Sequence, residues 1–151
     1  MLEVIRHIAE DLVTVMRAVM DSDTGVNVKA GKNTLTNSDI YNTLNSAVQI
    51  AGDDIVVSLF INHYADYIES GRRKGATPPP FNAIADWARR KGISTDNRVI
   101  WAIRQAIVRD GISPRPIISI FFERIDNLFE TDYYDRIFEE ITSVLDNYFN
   151  S

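Results

Sequence analysis

The sequence predicts an α+β fold, in which an N-terminal amphipathic helix and a helical C-terminal half flank a small antiparallel β-sheet. Three observations carry this. Apolar residues recur at 3.6-residue spacing in residues 2–20 and again beyond residue 81, period-two alternation is confined to residues 46–64, and no segment repeats another. With 151 residues, 45% hydrophobic content, two Trp, seven Phe and six Tyr, the chain can bury one core without disulfides, so a single domain over 1–151 is expected.

The first element is a helix over 2–20. Val4, Ile5, Ile8, Leu12, Val15, Met16 and Val19 share one face, opposite Glu3, Glu10, Thr14 and Arg17. DSDTG at 21–25 ends it, and residues 23–38, rich in Asn, Thr, Gly and Lys, read as a long, mobile loop or arm. Ser38 and Asp39 are placed to cap a short helical turn reaching Leu44. SAVQI and DIVVSLFINHY then read as two strands, with Ala51, Gly52, Asp53 and Asp54 between them forming a tight hairpin in which Gly52 can take a positive φ. In the second strand Ile55, Val57, Leu59 and Ile61 form the core face, and Val56, Ser58, Phe60 and Asn62 the outer one.

A basic, Pro-rich loop over 70–80 follows. Pro78, Pro79 and Pro80 make a stiff spacer into a helix over 81–91, which Gly92 ends. Ile84, Trp87 and Ala88 share its inner face. Ser94, Thr95 or Asp96 caps a further helix with the apolar stripe Val99, Ile100, Ile103, Ala106 and Ile107, and with a separate polar stripe of Arg98, Gln105 and Arg109. After Pro114 and Pro116, one apolar set runs from Ile117 to Phe129 and a second from Tyr133 to Phe149. At about 100° per residue the second stripe is roughly 160° out of phase with the first, which predicts a break or sharp kink near Glu130, Thr131 and Asp132. The last helix has an acidic back and an apolar front, the form of a helix that lies on a sheet or in a partner's groove.

The net charge of −5 is unevenly spread. Residues 1–69 hold 4 basic and 10 acidic side chains, residues 70–124 hold 11 and 4, and residues 125–151 hold 1 and 7. A basic middle between acidic ends suits an acidic partner, or copies of the chain meeting head to tail.

Several chemistries lack their residues. Cysteine is absent, which removes disulfides, thiolate zinc sites and cysteine nucleophiles, and His7 and His63 have no ligand spacing, so neither a metal nor a cofactor is expected. The sequence contains no GxSxG, HExxH, GxxxxGK or strand-linked GxGxxG motif. The adjacent carboxylates Asp53 and Asp54, and Glu139 and Glu140, fit solvated turn and helix positions. Glu69, near Tyr64, Tyr67 and Arg72, is the best single acid, with an ion pair as its structural role. No catalytic residue and no enzymatic activity are expected. No apolar run approaches the roughly 18 residues of a membrane helix, and MLEVIRHIAEDLV carries acids where a signal peptide has none, so a soluble protein made in the cytoplasm is expected.

One alternative is a helix-turn-helix DNA-binding regulator. FNAIADWARRKGISTDNRVIWAIRQAIVRDG gives two helices about a turn, with Arg98, Gln105 and Arg109 on the second and Arg72, Arg73 and Lys74 available to phosphate. Against it stand Val99, Ile100 and Trp101 where a recognition helix needs polar residues to reach base edges.

The stretch YADYIESG at 64–71, read as the end of a strand, precedes a basic loop, a Pro-initiated helix with Ile84, Trp87, Lys91 and Gly92, then VIWAIRQAIVRDGI and Pro114-Arg115-Pro116. Together these resemble the tail-completion, or head–tail joining, proteins of tailed bacteriophages, over residues 38–128. Arg72 stands where that family commonly has Thr, and Ile117 where it has Phe. The resemblance implies a non-enzymatic neck protein of the virion, synthesised in the host cytoplasm. It also implies packing as a six- or twelve-fold ring around a DNA channel, between the portal or connector and the tail proteins, with no membrane partner. From their own positions in the basic loop and the polar stripe, Glu69, Arg72, Arg73, Lys74, Arg98, Gln105 and Arg109 are the candidate interface residues, and Trp87 and Trp101 are expected as core anchors.

Overall fold

The computed structural model describes residues 2–150 and is an α+β structure, as the alternation of patterns predicts. The chain divides into two compact units: one holds the residues up to Ala65 together with those from Pro116 onward, and the other spans Asp66–Arg115.

The first unit is organised around α1 (Leu2–Asp21), which buries Ile5, Ile8, Ala9, Leu12, Met16, Val19 and Met20 along one stripe. Residues 23–38, expected as a long loop or arm, hold a 3-10 turn (Asp23–Gly25) and a ladder of β1 (Val26–Asn27) with β2 (Lys32–Asn33). Asn33 ties this segment back to α1: its Nδ2 donates to Met20 O at 2.7 Å and Ser22 O at 3.3 Å, and its Oδ1 accepts from the amides of Leu35 at 2.9 Å and Thr36 at 3.0 Å. Leu35 is thereby buried. Ser38 caps α2 (Asp39–Asn42) by accepting from Tyr41 N, the side-chain oxygen satisfying an otherwise orphaned first-turn donor.

β3 (Asn45–Ala51) and β4 (Asp54–Phe60) form the second antiparallel ladder, in which Ala51 pairs with Asp54 across the Gly52-Asp53 turn. Val48 and Val57 oppose each other and pack with Val4, Leu128, Phe129 and Ile137 against the buried Ile5, Ile8 and Tyr133. The core face predicted for the second strand holds at Val57 and Leu59, which are half-buried, but Ile55, one residue from the Ala51–Asp54 pair at the hairpin tip, is exposed.

The strand does not continue to Tyr64. It stops at Phe60, and Tyr64–Ser70 is helical, α3. Asn62 decides this, because its Oδ1 accepts from Tyr64 N at 3.0 Å and its carbonyl accepts from Ala65 N at 2.9 Å, starting a turn in place of a ladder. Ala65 and Ile68 then fall on one helical side, with Ala65 buried. His63 accordingly sits in the turn before α3 and stacks on Tyr64, with ring centroids 4.9 Å apart.

The second unit is built on α4 (Phe81–Arg90) and α5 (Asn97–Asp110). Ile84, Ala88 and Ile100 are its buried centre, with Phe81, Ala85, Ile103 and Ile107 around them. Of the three candidate caps for α5, Asp96 is the one used, its carboxylate accepting from Arg98 N at 2.9 Å. The two tryptophans are not core anchors: Trp87 is 39% and Trp101 48% exposed. Trp101 follows the buried Ile100 by one residue, about 100° round the helix, and Trp87 lies beyond the narrow face that Ile84 and Ala88 supply.

Back in the first unit, α6 (Ile117–Leu128) runs into α7 (Tyr134–Asn150) through a π turn at Phe129–Tyr133. The discontinuity lies where the stripe phases predict it, yet the backbone stays helical: Leu128, Phe129 and Tyr134 all keep right-handed helical angles. A π turn accommodates about one extra residue and rotates the helix beyond it by roughly 100°, so the two stripes are re-aimed without a cap.

Candidate assembly interface

The basic loop is fixed by backbone before its side chains are presented. Gly71 closes α3, donating its amide to Tyr67 O at 2.8 Å, and takes φ +62°, where a Cβ would lie 2.4 Å from Ile112 O. Gly111 ends α5 at φ +69°, and a Cβ there would lie 2.5 Å from Arg72 O. Only residues without a Cβ allow these two segments to approach so closely. Arg72 and Ile112 can then exchange backbone hydrogen bonds of 2.8 and 2.6 Å, flanked by Gly75 N to Val108 O at 2.7 Å and Arg115 N to Ile68 O at 2.8 Å.

The three basic residues of the loop differ in their surroundings. The Arg72 guanidinium lies 4.6 Å over the Tyr67 ring and donates to Thr77 O, and its Nε is buried with no hydrogen-bond acceptor, so it braces its own loop. Arg73 and Lys74 are exposed. Glu69 is half-buried on α3. Asp66, Tyr67, Ser70, Gly71, Arg72, Arg73 and Ala76 line an open, shallow depression beside the loop.

On α5, Arg98, Gln105 and Arg109 do form one exposed stripe, and Trp101 and Ala102 stand within it. Arg109 makes two 3.0 Å hydrogen bonds to the Asp110 carboxylate, which raise its guanidinium pKa. Two arginines in this unit carry no strong sequence signal. Arg104 sits 5.0 Å over the Trp101 ring and donates to Pro79 O at 3.4 Å, holding the proline spacer against α5. Its one sequence signal is the three-residue step from Trp101. Arg115 is half-buried, and that burial lowers its pKa from the ordinary value.

A second polar cluster braces the base of α7. Tyr133 is 1% exposed, and its hydroxyl donates to Asp11 Oδ2 at 3.3 Å. Arg136 bonds the same oxygen at 3.2 Å and Asp132 at 2.7 Å. Burial, then the Asp11 charge, push the Tyr133 phenol up to about 12. From Ile141 onward every described residue of α7 is exposed, including Val144, Leu145, Tyr148 and Phe149.

Among the described residues no three His, Asp or Glu side chains are grouped so as to hold a metal ion, and no helix is long and apolar enough to cross a membrane. The comparisons with known proteins add no neighbour: no family model, curated protein or solved structure matches this chain.

Proposed function

We propose that the chain is a non-enzymatic structural protein of a tailed-phage virion, one member of a neck ring that joins the portal side of the head to the tail. The observation that carries this reading is the presence, on one chain, of an acidic helix with an uncovered apolar stripe and a basic unit with exposed tryptophans. Exposed apolar surface of this extent marks association surfaces, and opposite charge gives them register and partner choice. The neck assignment itself rests on the motif similarity across residues 38–128. The glycine-pinned loop suits it: the loop sets Arg73 and Lys74 outward on a backbone that needs no reordering to meet a neighbour.

A DNA-binding regulator draws less support. The outward face of α5 places Trp101 and Ala102 between its polar residues, where base-edge readout needs donors and acceptors.

Quantitative mass spectrometry of purified virions tests the proposal. Six or twelve copies per portal ring are expected. Absence from particles, together with salt-sensitive binding of purified chain to duplex DNA, would overturn it in favour of the regulator.

A further inference from the structure

Helix α7 is anchored at its start and bare along its length. Ile137 packs on the Ile5, Ile8 and Tyr133 cluster, and Arg136 pairs with Asp11 and Asp132. Beyond them Phe138 is 69%, Tyr148 76% and Phe149 75% exposed, with Ile141, Val144 and Leu145 on the same stripe. With roughly 150–250 Å² of surface per large side chain, the stripe leaves about 700 Å² uncovered. That exceeds the roughly 300–600 Å² of the largest patch on an ordinary monomer and approaches the about 800 Å² that each partner gives to a standard interface. Helical segments shorter than about 12–15 residues are also marginal in water without packing. The distal part of α7 therefore calls for a surface to cover it.

The chain also carries exposed groups of matching chemistry. On α4, α5 and the turn between them Trp87, Ile93 and Trp101 are exposed, bordered in sequence by Arg89, Arg90, Lys91 and Arg98. The unit Asp66–Arg115 holds ten basic and five acidic side chains, and α7 holds four acidic and one basic. Pairing α7 with another α7 would bring together two helices of like net charge, whereas the α4–α5 hairpin offers aromatic side chains within a field of opposite sign.

We infer that the apolar stripe of α7 docks on the Trp87 and Trp101 surface of the α4–α5 hairpin of a second copy, head to tail. A pair joined this way still has one helix and one hairpin open, on opposite copies, so the contact repeats until a ring closes. The inference deepens the ring reading above and rests on it for closure; the pairwise contact stands on the two surfaces alone.

The test uses the full chain with Phe149→p-benzoylphenylalanine. Light- and heavy-isotope copies are mixed and irradiated, and the cross-linked peptides are sequenced by mass spectrometry alongside sedimentation of the untreated chain. The expected result is oligomers together with mixed-isotope cross-links from α7 to residues 81–110. A triple change Arg89→Glu, Arg90→Glu and Lys91→Glu, which removes the opposite-sign field of the hairpin, is expected to dissociate the oligomers about tenfold more readily. A monomer without mixed-isotope cross-links, cross-links confined to one copy, or α7 joined to α7 would overturn the inference. The cross-link readout stands even where charge reversal unfolds α4. A chain that makes this contact but is missing from virions would sink the neck reading and leave the contact intact; presence in virions without the cross-link would do the reverse.

Discussion

Replacing Gly71 by alanine should cost far more than the same change at Gly92, although both glycines have positive φ. At Gly92, φ is +70° and a Cβ would meet nothing within 4 Å, so only the left-handed backbone opposes alanine; that is about 1 kcal/mol. At Gly71, φ is +62° and the Cβ would lie 2.4 Å from Ile112 O, 2.7 Å from Pro114 N and 3.0 Å from Pro114 Cα. All three are backbone atoms, so no side-chain rotation relieves the clash. The Ile112 segment must retreat, and the 2.8 and 2.6 Å hydrogen bonds that it exchanges with Arg72 are lost or stretched. At about 1 kcal/mol for each bond and about 1 kcal/mol for the backbone, Gly71→Ala should destabilise the loop by about 3 kcal/mol. The difference of about 2 kcal/mol corresponds to roughly thirtyfold in local opening. Amide hydrogen exchange measured by NMR reads it directly: protection of Arg72 and Ile112 in Gly71→Ala should fall about thirtyfold further than protection of Ile93, which donates to Ala88 O, falls in Gly92→Ala. Equal losses in the two variants would refute the close-approach argument and leave backbone conformation as the whole effect.

Tyr133 should make the fold sensitive to alkali. Its folded pKa of about 12 lies above the ordinary 10.0, so the neutral phenol stabilises the fold fully below pH 10, and this contribution is lost as pH rises from about 10 to 12. Two units correspond to about 2.7 kcal/mol, and denaturant titrations across that range should show a steeper loss for the native chain than for Tyr133→Phe; parallel slopes would contradict it. Asp96→Ala removes the cap of α5 and should cost about 1 kcal/mol, seen as a lower denaturation midpoint, with Asp96→Asn recovering most of it. Arg73→Glu with Lys74→Glu should leave circular dichroism unchanged while blocking incorporation into virions; normal incorporation would remove the loop from the interface.

Much of the fold was legible because it is local. The α1 stripe, the Ser38 cap, the Gly52-Asp53 turn, and the starts and stops of α4 and α5 follow from spacing and from side chains that bond their own backbone within a few residues. The phase mismatch between the Ile117–Phe129 and Tyr133–Phe149 stripes located the discontinuity between α6 and α7, though not its form as a π turn.

The candidate interface was legible only in part. Sequence identified the basic loop and the Arg98, Gln105 and Arg109 stripe, since charge and helical periodicity are properties of the chain itself. It could not tell that Arg72 lies on Tyr67 while Arg73 and Lys74 face outward, because that depends on the backbone approach that Gly71 and Gly111 permit. Nor did it reveal Arg104 over Trp101.

The order of residues along the chain is thus enough to set the local elements and the charge map. Folding in three dimensions settled four further points: that Asn62 turns residues 64–70 from strand to helix, that Asn33 folds residues 23–38 against the end of α1, that both tryptophans stay exposed, and that Tyr133 meets Asp11 across 122 residues of chain. Each outcome depends on which groups arrive beside one another after folding, and on the packing or hydrogen bond then gained. Periodicity along one chain carries no record of such meetings.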